Sequence, residues 1–238
     1  MSDTIREQII SAIVTRLAVV RQSKGYVTDC GAVVRRTRRM RDTDETDALI
    51  VWPGIETASR SYSKITAIMP VEIEGQVSFE IDENPSEMAE SVMGDIIEAM
   101  TGPYWTLAYT SGGTYVVKVC DTITGDVSDA TGYIEAITTS SGSWAAGTAA
   151  GNFTVRRISG TFGNETVSVG SNSNVATVAG STISATSAIT AATGGLADSI
   201  EYIGGGVENY PDESSSIVGV VVRFNISYKF NAGNPYSQ

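Results

Sequence analysis

A chain of 238 residues, 42% of them hydrophobic and 18% charged, is long enough for a sizeable core and is not a disordered scaffold. The absence of histidine excludes the Ser-His-Asp and Cys-His mechanisms, and two cysteines outside any CxxC pair exclude thiolate zinc clusters. The net charge of −11 is uneven, because residues 1–64 hold 11 bases against 8 acids and residues 65–238 hold 5 bases against 19 acids. Such asymmetry indicates assembly through complementary faces, or a surface that must not bind nucleic acid.

The N-terminal segment predicts an amphipathic helix. Apolar residues recur at helical spacing from Ile5 to Val20, so the helix is expected over residues 3–22, with Ser2 or Asp3 as its cap. One face would be buried, and the charged residues of the other face would meet solvent.

Strands and a second helix follow the first helix. Two short strands are expected over residues 31–38 and 48–52, with a polar turn at residues 42–47 between them. Residues 71–81 form the clearest predicted strand, because apolar and polar residues alternate there. The polar face of this strand carries three acids, which are Glu72, Glu74 and Glu80. A helix is then expected after Asn84, a good capping residue followed by proline.

Residues 102–196 have a different composition, since Gly, Ser and Thr supply 43 of them. Short β-prone runs between turns predict an all-β module. The predicted strands cover residues 115–119, 132–138, 152–157, 165–169 and 174–178. A small core of Trp144, Phe153 and Phe162 is expected inside the module. Its tail, residues 180–195, is predicted to be a linker or a loosely packed loop.

Residues 197–238 resemble residues 1–101 in composition and patterning. Residues 197–203 predict a short helix or turn, and glycines 204–206 a flexible turn. Residues 218–230 alternate and predict one long strand. A lone strand cannot fold by itself, so it must pair with the sheet of residues 32–81.

This pairing predicts a discontinuous domain, residues 1–101 plus 197–238, which is interrupted by an inserted β domain, residues 102–196. The expected class is α+β, with a mixed β-sheet flanked by two main helices. Apolar runs are too short for a membrane span, and the N-terminus does not resemble a secretory leader.

The order of these elements resembles the tail terminator proteins of long-tailed bacteriophages, also called tail completion or minor tail protein U-like proteins. The resemblance covers about 140 residues and is carried by the helix at residues 5–10, a Gly-Tyr-x-Thr-Asp-x-Gly stretch at residues 25–31, the basic strand and turn at residues 33–47, and a final strand that ends in Ser227-Tyr228-Lys229. The insert resembles a β motif of phage virion proteins through residues 130–134, 141–144, 146–151 and 158–162.

The resemblance implies a mixed sheet with flanking helices and a structural role in the virion. The family forms a hexameric ring at the head-proximal end of the tail tube, where the ring stops tube growth and meets the stopper protein of the head. DNA passes through the lumen without sequence-specific binding. Catalysis, a cofactor, a metal and a membrane are not expected. The protein would lie at the tail–head junction of the virion and in the host cytoplasm during assembly.

Two charged groups are candidate contact residues. The arginine cluster Arg35, Arg36, Arg38, Arg39 and Arg41 would touch a neighbouring subunit or the tube. A solvated hairpin tip, balanced by the acids of residues 42–47, and contact with DNA are the alternatives. The acids Glu72, Glu74 and Glu80 would line the lumen and repel DNA, and a catalytic carboxylate pair is the weaker interpretation.

Other functions stay open. A different neck or tail-tube subunit is one, and a virion binding module whose insert recognises host surface glycans is another. A carboxylate enzyme such as a glycosidase is the third, and it would need a concave pocket with two acids. Asp121, Asp126 and Asp129 are interpreted as acids of polar turns, with a Ca²⁺ site as the alternative.

Overall fold

A computed structural model describes residues 3–36, 47–78, 84–113, 115–180, 184–209 and 217–238. It is a mixed α+β structure with two sheets, which confirms the predicted class. In chain order its elements are α1 (Ile5–Leu17), 3-10 turns at Gln22–Lys24 and Cys30–Ala32, β1 (Val33–Arg36), β2 (Ala48–Pro53), β3 (Thr57–Ser61), β4 (Lys64–Ser78), α2 (Pro85–Thr101), β5 (Tyr104–Gly112), β6 (Thr122–Gly125), β7 (Thr131–Ser141), β8 (Ala149–Ser159), β9 (Asn164–Val169), β10 (Asn172–Ala179), β11 (Ser184–Thr186), α3 (Ala188–Thr193), β12 (Ala197–Asn209) and β13 (Ile217–Asn231).

The chain divides into two compact units. The first consists of Met1–Gln22, Tyr26–Thr101 and Ala188–Gln238, and the second of Ser23–Gly25 and Gly102–Ser187. Each unit has its own sheet and its own cluster of buried apolar residues.

The sheet of the first unit has the strand order β1-β2-β4-β13-β12, and β3 pairs with the first part of β4. β1 and β2 are parallel and the other pairs are antiparallel. β4 and β13 are each 15 residues long and pair along their whole length, from Lys64 opposite Asn231 to Ser78 opposite Ile217. The predicted pairing of the final strand with the N-terminal sheet is confirmed.

One face of this sheet is buried under the helices. Ile9, Ile13 and Leu17 of α1 share a core with Ile96 of α2 and Ile73 of β4. The side chains of β4 alternate between buried and half-buried positions from Val71 to Ser78, as the period-two pattern predicts.

The first helix is shorter than predicted, and its cap differs. Thr4, rather than Ser2 or Asp3, accepts a hydrogen bond from the backbone N–H of Glu7 at 3.2 Å. The helix ends at Leu17, because the following turn packs against Gly31, whose N–H donates to the carbonyl of Val20 at 2.9 Å.

The prediction for residues 197–203 is wrong, and so is the flexible turn at residues 204–206. Both segments lie in β12, which pairs with β13 through three register shifts. Gly205 is extended, and a Cβ there would lie 2.7 Å from the carbonyl oxygen of Val221. Pairing with a long, buried neighbouring strand therefore overrides the low strand propensity of glycine.

The predicted linker at residues 180–195 also differs from the structure. It contains β11 and α3, and Ala192 and Thr193 of α3 are buried in the first unit. Small residues such as alanine favour a helix once a neighbouring surface can bury it.

The second unit is an antiparallel sheet that closes on itself. The order is β10-β9-β6-β7-β8-β5, and β10 pairs with β5 to complete the circle, while β11 adds to another part of β5. Closure pairs both edges of each of these six strands. The strand predicted at residues 115–119 is absent, whereas β5 and β6 were not predicted. Residues 115–119 form an irregular segment that still buries Val117.

Candidate functional site

The arginine cluster is described at its first two members, Arg35 and Arg36, which end β1. Arg38, Arg39 and Arg41 lie outside the described residues. Arg36 forms a two-pronged ion pair with Glu7 of α1, with 2.7 Å between Nη2 and Oε2. The hydrogen bond from Arg36 lowers the pKa of the Glu7 carboxyl. Arg36 is therefore engaged within its own chain, where it fastens β1 to α1.

The acidic face of β4 is described at Glu72 and Glu74, and Glu80 lies outside the described residues. Glu72 and Glu74 alternate with buried Ile73, so they face away from the helices. Glu72 lies opposite Arg223 of β13, and the Arg223 Nε is 2.6 Å from the Glu72 Oε2. This cross-strand pair neutralises one acid, so the face is less acidic than the sequence indicates.

The β3–β4 hairpin is a feature that the sequence did not reveal. All five residues of β3 are exposed, so neither face of that strand is covered. Tyr62 forms the tip, 95% exposed, with a left-handed φ of 52°. Arg60 Nε donates to the carbonyl oxygen of Tyr62 at 3.2 Å and holds the turn. The sequence feature that comes nearest to indicating this hairpin is a Ser-Tyr-Ser run with a base on either side, Arg60 and Lys64.

The opposite edge of the same sheet is β12. In the described residues this strand pairs with β13 alone. Tyr202 and Ile203 are exposed on it, at 41% and 49%. β12 carries three acids and no base, and the acids are Asp198, Glu201 and Glu208. The two edges of the sheet thus differ in charge.

A small cleft of about 160 Å³ lies beside the first turn of α1. Arg6 Nε is 3.3 Å from the Glu56 Oε2, and the Tyr228 hydroxyl donates to the same oxygen. Burial first, and then the hydrogen bond to Glu56, raise the pKa of Tyr228. The phenol therefore stays protonated, and the network fastens α1 and β13 to the loop before β3.

Asp95 of α2 is a buried carboxylate that forms hydrogen bonds with a loop of the first unit. It accepts hydrogen bonds from the backbone N–H groups of Val27 and Thr28 at 3.1 and 2.7 Å, and from the Thr28 hydroxyl at 2.8 Å. Thr28 also contacts the Cys30 thiol. Burial raises the pKa of Cys30 to about 12, so this thiol is a poor nucleophile. Cys30 and Cys120 are both free.

Glu165 is a second buried carboxylate, in the second unit. It accepts from the backbone N–H groups of Val127, Ser128 and Gly163 at 2.7 to 2.9 Å, and from the Ser128 hydroxyl at 2.6 Å. Burial raises the pKa of Glu165, but these hydrogen bonds outweigh it and lower the pKa to about 2. Glu165 thus fastens two turns to β9.

The three aromatic residues predicted for the core of the insert occupy different environments. Phe153 and Phe162 are buried, while Trp144 is half-buried. Tyr109 stacks on Phe153 at 4.1 Å and on Trp144 at 5.3 Å between ring centroids. Trp144 therefore packs against the core from its rim.

Two of the three acids considered as a Ca²⁺ site accept hydrogen bonds within the second unit. Asp121 accepts from the backbone N–H of Lys118 at 2.7 Å, and Asp126 accepts from the Thr166 hydroxyl at 2.6 Å. Across the described residues, no cluster of three or more metal-ligating side chains is found. In the same part of the chain, no helix has both the length and the apolar character needed to cross a bilayer.

No family model matches the chain, and no curated protein matches it.

Proposed function

We propose that this chain is a structural virion protein, a phage tail terminator. It forms a ring, most simply a hexamer, at the head-proximal end of the tail tube. The ring stops tube growth and joins the tube to the stopper protein of the head. It assembles in the host cytoplasm, remains at the tail–head junction of the virion and lets DNA pass without sequence-specific binding.

The observation that supports this proposal is the element order of the first unit. A helix, a basic strand, a long acidic strand and a capped helix are followed, after an insert, by a long strand that returns to the middle of the sheet. This is the order on which the resemblance to tail terminators rests. An open sheet with two edges of unlike charge also suits a ring, because a ring needs two different surfaces on each subunit.

The contacts of the candidate acids favour a structural role over catalysis. Glu72 is paired with Arg223 on an open strand face, where a glycosidase would need two acids across a cleft. The glycan-binding alternative would be favoured by exposed aromatic residues on the insert. In the described part of the second unit no tyrosine, tryptophan or phenylalanine is exposed.

A tube-growth assay tests the proposal. The tube protein of the same phage is polymerised with and without this chain, and tube lengths and tube ends are measured by electron microscopy. We expect shorter tubes that end in a ring at substoichiometric amounts of the chain. An unrelated acidic protein at equal concentration is the control.

Two outcomes would contradict the proposal. Tubes of unchanged length with bare ends would show that the chain does not cap them. Long tubes made of this chain alone would instead identify a tail-tube subunit.

A further inference from the structure

The β3–β4 hairpin has the character of an arm, which we define as residues 57–64. Every side chain of β3 is exposed, whereas the neighbouring β4 buries Ala67 and Met69 soon after the hairpin. A strand with no covered face gains little from its own core. The arm therefore gains little stability from burial within its own chain, and a further surface that pairs with it would stabilise its extended conformation.

The tip of the arm holds a large aromatic residue in solvent. Tyr62 adopts a left-handed backbone conformation, which costs a residue other than glycine about 1 kcal/mol. Residues 57–64 include two bases, Arg60 and Lys64, and no acid. A basic, apolar-tipped arm fits an acidic surface with exposed apolar residues.

The β12 edge has these properties. An edge strand presents a row of main-chain donors and acceptors to another strand, and natural edges are usually protected by lysine, proline or short length. β12 is 13 residues long and contains neither lysine nor proline, although three register shifts against β13 interrupt its regularity. Asp198 is paired with Lys229 at 2.9 Å, which leaves Glu201 and Glu208 as acids beside the exposed Tyr202 and Ile203.

We infer that the arm of one copy of this chain adds to the β12 edge of a second copy. Both complementary surfaces are on one polypeptide, so the partner is present wherever the chain is. They lie on opposite edges of the same sheet, so each copy keeps one arm and one edge for its two neighbours. Repetition of such a head-to-tail contact produces a closed ring when the rotation per copy permits. The inference rests on the ring of the proposed function and names the surfaces that build it.

Charge reversal tests the contact. Lys64→Glu on the arm and Glu201→Lys on the edge should each weaken self-association about tenfold, because an attraction becomes a repulsion. The combined variant restores the opposite charges and should return to within about threefold of the unaltered chain. Association is measured by sedimentation velocity over a range of concentrations.

Matched controls make the same charge changes elsewhere. Lys118→Glu alters an exposed lysine of the second unit, and Glu90→Lys alters an exposed acid of α2. Both should associate like the unaltered chain. A monomeric unaltered chain, controls that weaken association equally, or a combined variant that recovers nothing would each overturn the inference.

Amide hydrogen exchange separates this inference from the proposed function. Strand addition should slow exchange in residues 200–206 as the oligomer forms, because their outward N–H groups gain partners. If the chain caps tubes while these amides exchange as in the monomer, the inference fails and the proposed function stands. If the edge is protected in an oligomer that leaves tubes unchanged, the function fails and the contact stands.

Discussion

At the scale of single residues, two buried carboxylates hold loops in place without a basic partner in their hydrogen-bond sets. Glu165 receives four donors from two turns, and Asp95 receives three from one loop. Sequence alone did not single them out, because their partners are up to 68 residues away along the chain. A lone acid in a strand or helix ordinarily indicates a solvated position.

Glu165→Gln should destabilise the second unit by about 2–4 kcal/mol, because an amide has one acceptor oxygen for four donors. Denaturant unfolding at pH 7, followed by circular dichroism, measures the change in the free energy of unfolding. Asp129→Asn is the control, since it removes the same charge from an exposed position in an adjacent turn. Equal effects of the two substitutions would contradict the role given to Glu165.

The pH dependence follows from the lowered pKa of Glu165. Its folded pKa of about 2 lies below the ordinary value of 4.5, so its stabilisation is complete above about pH 4.5 and is lost as the pH falls towards 2. The difference in unfolding free energy between the unaltered chain and Glu165→Gln should therefore shrink between pH 5 and pH 2. A difference that stays constant across this range would contradict the assignment.

At the scale of elements, the long alternating strands were predictable and the exposed or glycine-containing ones were not. Residues 71–78 and 218–230 can be recognised as strands from the sequence, because one face of each must be apolar to meet the core. β3 is exposed on both faces, so it has no such alternation. β12 carries three glycines that pairing with β13 tolerates. Tertiary contacts determine that β3 and β12 are strands, and a local sequence pattern cannot encode such contacts.

The end of α1 gives a prediction at the same scale. A Cβ on Gly31 would lie 2.4 Å from the carbonyl oxygen of Leu17 and 2.6 Å from that of Val20, so the helix end must move. We expect Gly31→Ala to lower the midpoint of thermal unfolding by several degrees. Gly94→Ala in α2 is the matched control. It meets no atom within 4 Å and should stabilise by about 0.5–1 kcal/mol through helix propensity.

A lowered midpoint for both glycine variants would mean that the space around Gly31 does not set the end of α1. The comparison is informative because both substitutions add one methyl group to a glycine of the same unit.

At the scale of the whole molecule, the sequence indicated a charge asymmetry and a discontinuous arrangement. It did not indicate where unlike charges would meet. That depends on which strands occupy the two edges of the first sheet, and strand order is set by long-range pairing. The arginine cluster is conspicuous in the sequence because its charges are closely spaced, yet Arg36 is engaged with Glu7.

Salt dependence tests the electrostatic part of self-association. Exposed charges are screened within about 10 Å at 0.1 M salt and within about 3 Å at 1 M. Raising NaCl from about 0.05 to 0.5 M should therefore weaken association of the unaltered chain several-fold, as measured by sedimentation velocity. Stronger association at high salt would assign the contact to the apolar residues Tyr62, Tyr202 and Ile203 instead.

The second unit, whose last strand β11 pairs with its first strand β5, has a consequence for how the protein can diverge. Its first and last strands are neighbours, with Tyr104 directly opposite Thr186. The module therefore begins and ends at one place, and a host chain that gains or loses it needs to bridge only the gap between two adjacent strands. A segment of this kind can move between unrelated proteins as a cassette, because its termini impose little strain on the recipient.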